Sequence, residues 1–136
     1  MPGYLIRRLH QNSQAVFDAQ MAAAGFDLTP LQYAALRVVA DHPGLDQASL
    51  ASIIAFDRAT VGGVVDRLEA KGLLRREIRR TDRRARYLHV EPAGLARLDA
   101  VTPLVRGVQD KTLAALDANE RATLVALISK ALKLEA

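Results

Sequence analysis

The chain has neither cysteine nor tryptophan among its 136 residues. The lack of cysteine excludes disulfides, thiolate metal sites and thiol-based redox sensing. Aromatic residues are few, three Phe and three Tyr. That scarcity, beside abundant alanine and leucine, favours helices over sheets. No uninterrupted apolar run is long enough to cross a bilayer. The opening stretch MPGYLIRRLHQNSQ lacks the apolar core of a signal peptide. A cytoplasmic protein without a membrane partner is therefore expected. No nucleophile motif, phosphate loop or dinucleotide fingerprint is present, so neither enzyme activity nor a cofactor is expected. His10, His42 and His89 stand far apart without paired helical spacing, and no metal site is expected.

Half of the residues are hydrophobic, enough for a globular chain, and the length fits a single domain spanning 1–136. Charge is concentrated in one place. From Arg75 to Arg86 seven arginines face only Glu77 and Asp82, a local net of +5, whereas the whole chain nets +4, leaving the remainder at −1. One basic device of this kind implies an anionic partner.

Period and punctuation set the order of elements. Leu5, Leu9, Val16 and Phe17 mark a first helix that stops at Gly25. In LTPLQYAALRVVADHPG, Thr29 is an N-cap, Pro30 holds the first helical position and Gln32 completes a capping box. Leu31, Ala34, Ala35 and Val38 are the expected inward stripe, and His42-Pro43-Gly44 ends the helix. Asp46 caps a short helix with Leu50, Ile53 and Ile54 inward. Asp57 caps the next, where Val61, Val64, Val65 and Leu68 form a clean buried stripe and Gly72 a left-handed stop. Two runs of period two then flank Thr81-Asp82, which predicts an antiparallel hairpin with an exposed tip. His89, next to inward-facing Leu88 and Val90, is expected on its surface. Leu95, Leu98, Val101, Val105 and Val108 mark a long helix with a kink at Pro103. Asp117 and Glu120 open a last helix with the stripe Leu124, Leu127, Ile128, Ala131 and Leu132.

Helix, short helix, tight turn, helix and hairpin, in that order, make a winged helix-turn-helix. The second helix of the pair enters the major groove, and the hairpin reaches an adjacent groove. The fold class is thus mainly α with a small β-hairpin. A reader over about 28–91 is flanked by dimerisation helices in 1–27 and 92–136. Both end helices carry apolar stripes that the reader cannot bury alone, which argues for a homodimer.

The segment LASIIAFDRATVGGVVDRLEAKGLLRREIRRTDRRARYLHVEPAGL resembles the MarR family of bacterial transcriptional regulators. The likeness rests on Asp57 to Thr60, on VVDRLEAKGLLRR, on the wing TDRRA and on the following PAGL. FDLTPLQYAAL and LDANERATLVALISKAL extend it over nearly the whole chain. The resemblance implies a homodimer, often a repressor, that leaves its DNA when a small molecule binds. It also implies that Arg84 contacts DNA while Asp82 helps hold the wing. The family usually has Thr or Ser where this chain has Glu91, so the cap of the helix after the wing is expected to differ.

The expected partner is double-stranded DNA carrying a pseudo-palindromic operator. Arg58 is expected to reach bases or phosphate. Thr60 reaches a phosphate or bonds within its own first turn, and Ser49 has the same two roles open. Arg67 contacts phosphate or pairs with a wing carboxylate such as Asp82. Arg83, Arg84 and Arg86 lie in the wing, and Arg75 and Arg79 are strand positions suited to phosphate. Gly62 and Gly63 interrupt the reading helix at about 1 kcal/mol each relative to alanine. They allow close backbone approach to DNA or make packing room against the short helix. His10, Ser13, Phe17, Tyr33 and Arg37 are candidate lining for an effector pocket, suited to an aromatic carboxylate or its thioester. The alternative is a winged-helix protein–protein interaction module without DNA binding, which a neutral wing would favour.

Overall fold

The computed structural model describes residues 1–134. Eight elements follow in chain order: α1 Pro2–Ala24, α2 Pro30–Asp41, α3 Gln47–Ile54, α4 Arg58–Ala70, β1 Leu74–Arg79, β2 Asp82–Val90, α5 Pro92–Thr112 and α6 Ala118–Ala131. The chain is mainly α with one two-stranded antiparallel sheet, as its composition and period imply.

The helix boundaries follow from local chemistry. Thr29 Oγ1 accepts from the Gln32 N–H at 3.1 Å, and Gln32 Oε1 accepts from the Thr29 N–H at 3.2 Å. Asp117 and Glu120 repeat this reciprocal box at the start of α6. Each box satisfies two backbone donors that a helix start leaves without partners. Asp46 and Asp57 cap α3 and α4 in the same manner. Gly25 and Gly72 close α1 and α4 with φ of 77° and 72°, a region a side chain disfavours. Ala55 takes it without being glycine, at φ 59°, and so makes the tight turn between α3 and α4. Glu91 precedes α5 but makes no side-chain cap; its carboxylate pairs with Arg75 Nε at 3.1 Å instead.

The core lies inside the reader and where α1 and α5 meet it. Leu36, Val39, Leu50, Val61, Val65, Leu68, Leu74, Leu88 and Val101 are fully buried there, with Phe17 and Met21 from α1. Gly94 lets α5 seat against the base of the wing, since a Cβ there would stand 2.2 Å from the Leu73 carbonyl oxygen. The connection before α3 is also fastened to the wing. Gly44 N–H donates to Leu88 O at 2.9 Å, and Leu88 N–H donates to Leu45 O at 2.8 Å.

Four details differ from the sequence reading. The buried face of α2 is Gln32, Ala35, Leu36 and Val39 rather than the stripe through Leu31, Ala34 and Val38. Gln32 can be buried because Thr29 N–H and Lys71 Nζ donate to its side-chain oxygen. Ile53 and Leu95 are half exposed, because α3 turns only Leu50 and Ala51 fully inward and α5 buries Gly94 and Leu98. The wing turns at Arg80-Thr81, and Asp82 already opens β2. Strand pairing is regular from Leu74↔Val90 to Glu77↔Tyr87, then slips before Arg79↔Asp82, so the extra residues near the tip belong to β2. His89 is half-buried, not on the surface; its Nε2 lies 3.3 Å from Glu77 Oε2. The long helix α5 is continuous from Pro92 to Thr112, with Pro103 inside it.

Helix α6 has no buried residue. Leu127, Ile128 and Leu132 stand open to solvent, as do Leu5 and Ile6 on α1. A groove of 360 Å³ between the two helices is lined by Leu5, Leu9, Leu124, Ile128 and Leu132, among other apolar side chains.

Candidate nucleic-acid interface

Helix α4 holds its valine stripe against the core and leaves the opposite face free. On that face Arg58, Thr60 and Arg67 are exposed, and the two glycines are partly so. Asp57 organises the first turn. It accepts from Thr60 N–H at 2.8 Å and from Thr60 Oγ1 at 2.7 Å. These bonds hold the Asp57 carboxyl below its usual range. Thr60 therefore already bonds within its own turn. Ser49 does the same on α3, donating from Oγ to Asp46 at 2.6 Å. Arg67 makes no ion pair among the described residues, so the pairing with Asp82 is absent. It lines a 390 Å³ cleft between α4 and the start of α2, with Thr29, Thr60 and Gly63.

The seven arginines of the wing divide by their partners. Arg75 pairs with Glu91. Arg79 donates to Glu77 at 2.7 Å, and its guanidinium lies 3.7 Å from the centre of the Tyr87 ring. That hydrogen bond keeps the Glu77 carboxyl below its usual range. Both strand arginines expected to meet phosphate thus carry an ion pair, Arg79 within the wing and Arg75 with Glu91 just after it. Arg76, which sequence reasoning passed over, is the most embedded. It donates to Gln47 Oε1 at 3.0 Å, Asp66 Oδ1 at 2.6 Å, Glu69 Oε1 at 3.2 Å and the Gly62 carbonyl at 3.2 Å. No local signal distinguishes it from its neighbours, since its partners are 7 to 29 residues away.

Arg80, Arg83, Arg84 and Arg86 carry no ion pair among the described residues. Asp82 Oδ1 accepts from the Arg84 N–H at 3.1 Å, a local bond that shapes the start of β2. Arg86 Nη1 donates to the carbonyls of Arg83 at 2.8 Å and Ala85 at 3.3 Å. A Cβ at Gly62 would come no nearer than 3.5 Å to Gln47 Nε2, and one at Gly63 no nearer than 3.6 Å to Arg67 Nη1. Those are ordinary contacts, so packing against α3 does not require either glycine.

The five candidate effector residues fall into three places. His10 and Ser13 line a 290 Å³ cavity between α1, α5 and α6, with Gln109 and Thr112. Phe17 is buried, and its ring centre lies 6.4 Å from that of Tyr33. Tyr33 Oη lies 3.3 Å from Thr102 Oγ1. Arg37 is ion-paired with Asp41 on the surface of α2, with Nε 3.3 Å from Oδ2. No single helix among the described residues is long and apolar enough to cross a membrane.

A reading helix with a free polar face, beside a hairpin bearing unpaired arginines, defines a winged helix-turn-helix DNA reader. Comparison with known proteins narrows the class. Residues 26–85 match the MarR family model. The HTH-type transcriptional repressor NicR of Pseudomonas putida is 34% identical over 128 residues, covering 94% of this chain and 80% of its own. The structure resembles that of BpsR from Bordetella bronchiseptica, whose DNA binding is regulated by 6-hydroxynicotinic acid, with a TM-score of 0.90, 28% identity and coverage of 99% and 95%. It also resembles PcaV from Streptomyces coelicolor in complex with its natural ligand, with a TM-score of 0.88, 30% identity and coverage of 98% and 92%. The chain belongs to the MarR family and is a DNA-binding transcriptional regulator.

Proposed function

We propose that the protein is a homodimeric repressor, released from a pseudo-palindromic operator by an aromatic carboxylate or its thioester. It acts in the cytoplasm, on the DNA. The carrying observation is the combination, among the described residues, of four wing arginines without an ion pair and an apolar surface on α1 and α6 that is left exposed. Burying that surface between two copies supports the dimer, with the reader in about 28–91 and the dimerisation helices on either side. Two readers on one two-fold axis suit half-sites about one helical turn apart.

The sign of regulation draws on the similarity to the repressor NicR. The effector class draws on the similarity to BpsR, whose regulator is a hydroxylated aromatic acid. Phe17 and Tyr33 supply aromatic surface, and the Tyr33 and Thr102 hydroxyls supply polar groups beside it. His10 and Ser13 lie in a separate cavity between α1, α5 and α6.

Selecting fragments bound from the host genome tests the reading, followed by footprinting with and without a panel of aromatic acids. Two protected half-sites that vanish with one of the acids are expected. A single asymmetric half-site, or protection unmoved by every acid in the panel, sinks the corresponding part of the proposal.

A further inference from the structure

Arg58 from the start of α4 and Arg84 and Arg86 from β2 line one 200 Å³ cleft, closed on its third side by Asp46, Gln47 and Ala48 at the start of α3. None of the three guanidinium groups has a carboxylate partner among the described residues. The one acid in the wall is already occupied. Asp46 accepts from the Ser49 N–H at 3.1 Å and from Ser49 Oγ at 2.6 Å. Three positive charges against one negative leave the cleft at a net +2. Two helix starts, α3 and α4, add their partial positive charge. Arg86 is also held in place by the Arg83 and Ala85 carbonyls, so its charge is preset rather than found on binding. Arg75, Arg76 and Arg79 have internal acids instead.

We propose that this cleft is a binding site for a single backbone phosphodiester of the operator, held between Arg58 on the reading helix and Arg86 on the wing. The inference rests on the DNA-binding reading and adds a shared ligand to it. One phosphate gripped from both sides ties the angle of the wing to the seating of α4. A guanidinium offers several N–H donors in a fixed plane, which suits two such groups converging on one phosphate.

Operator duplexes carrying one neutral methylphosphonate at each position in turn provide the test. At one phosphate per half-site, neutralisation weakens the unmutated protein. At that same phosphate the penalty shrinks by more than about twofold, the margin within which independent effects add, in both Arg58→Ala and Arg86→Ala, because each variant leaves the other arginine on the phosphate. Arg86→Lys keeps the charge on a wing that has lost its planar donor, and it regains part of the penalty there. That variant separates a lost contact from a collapsed wing. If Arg58→Ala and Arg86→Ala lose sensitivity at different phosphates, the site is not shared and the proposal is wrong. Unchanged sensitivity in both variants overturns it equally. Failure of the unmutated protein to hold the unmodified duplex removes the DNA reading itself, and the site with it.

Discussion

Arg76 on the wing donates to the carbonyl of Gly62 inside the reading helix, at 3.2 Å. The same side chain holds Gln47 on α3 and Asp66 and Glu69 on α4. The wing is thereby braced against both helices of the reader pair by one residue. Its side chain is mostly buried, at 18% exposure, while its acidic partners Asp66 and Glu69 are exposed. Most of its worth thus lies in geometry rather than in ion-pair strength.

Arg76→Ala should therefore lower stability by about 1–2 kcal/mol, the low end for hydrogen bonds involving a charged group. Arg76→Lys should recover less than half of that, because an ammonium cannot span four acceptors. Urea unfolding of the three proteins measures both. A wild-type midpoint for Arg76→Lys would show that charge alone suffices.

Gly62 and Gly63 sit in an α-helix with room for a Cβ. Gly62→Ala and Gly63→Ala should each raise stability by about 1 kcal/mol. If DNA backbone approaches the helix here, affinity falls as stability rises. Unfolding and operator titration on the same variants separate the two. Higher stability with unchanged affinity would mean that neither glycine serves DNA approach.

The local parts of this architecture were legible in the chain. Thr29 with Gln32, Asp46, Asp57, and Asp117 with Glu120 are caps whose partners lie three residues away, so sequence spacing specifies them. The α4 stripe is legible because each of its valines is buried. The α2 stripe was misread by a residue because its buried face contains Gln32, a polar group whose partners include Lys71 from a distant segment. The wing arginines were legible as a cluster but not as individuals. Seven copies of one side chain differ only in which acid lies nearby, and Glu91, Asp66 and Glu69 are brought there by the fold. Arg75 and Arg79, expected to meet phosphate, also pair with Glu91 and Glu77, contacts the sequence alone does not show.

Acid should loosen the start of the reading helix. The Asp57 carboxyl lies below its ordinary value near 3.8 in the folded state, chiefly through the Thr60 backbone N–H and hydroxyl. A carboxyl depressed by folding adds stability that is present above the unfolded value. That stability is lost as pH falls below it through the depressed one. Asp57→Asn keeps a cap but cannot titrate. Its stability should resemble the unmutated protein near neutral pH and fall less steeply below about pH 4. Parallel acid limbs for the two proteins would show that this cap contributes nothing to the pH dependence.

Ile128→Asp and Leu132→Asp change apolar residues at the end of α6 that stay exposed among the described residues, at 43% and 63%. Their cost to a lone folded chain should be small. A dimer that buries them loses roughly 1.5–3 kcal/mol per side chain, with the expense of burying a carboxylate besides. Light scattering should show folded monomers at concentrations where the unmutated protein is dimeric, with helical content retained. A persistent dimer would move the interface elsewhere.

Arg84 gives the sharpest test of the wing. It is exposed, carries no ion pair among the described residues, and follows Asp82, whose carboxylate binds its backbone N–H. An arginine free of internal partners near a hairpin tip can enter a narrow minor groove, where the negative potential is strongest. Arg84→Ala should then cost roughly 1–3 kcal/mol of binding and reduce the preference for A·T-rich flanks. Arg79→Ala should differ in kind. Its side chain stacks on Tyr87 and holds Glu77, so its removal should loosen the wing and weaken binding to every sequence alike. Titrating each variant against the operator and against duplexes with G·C-rich flanks separates these effects. If Arg84→Ala binds both duplexes as the unmutated protein does, the free arginines of the tip are a solvated charge run, and the wing reads no groove.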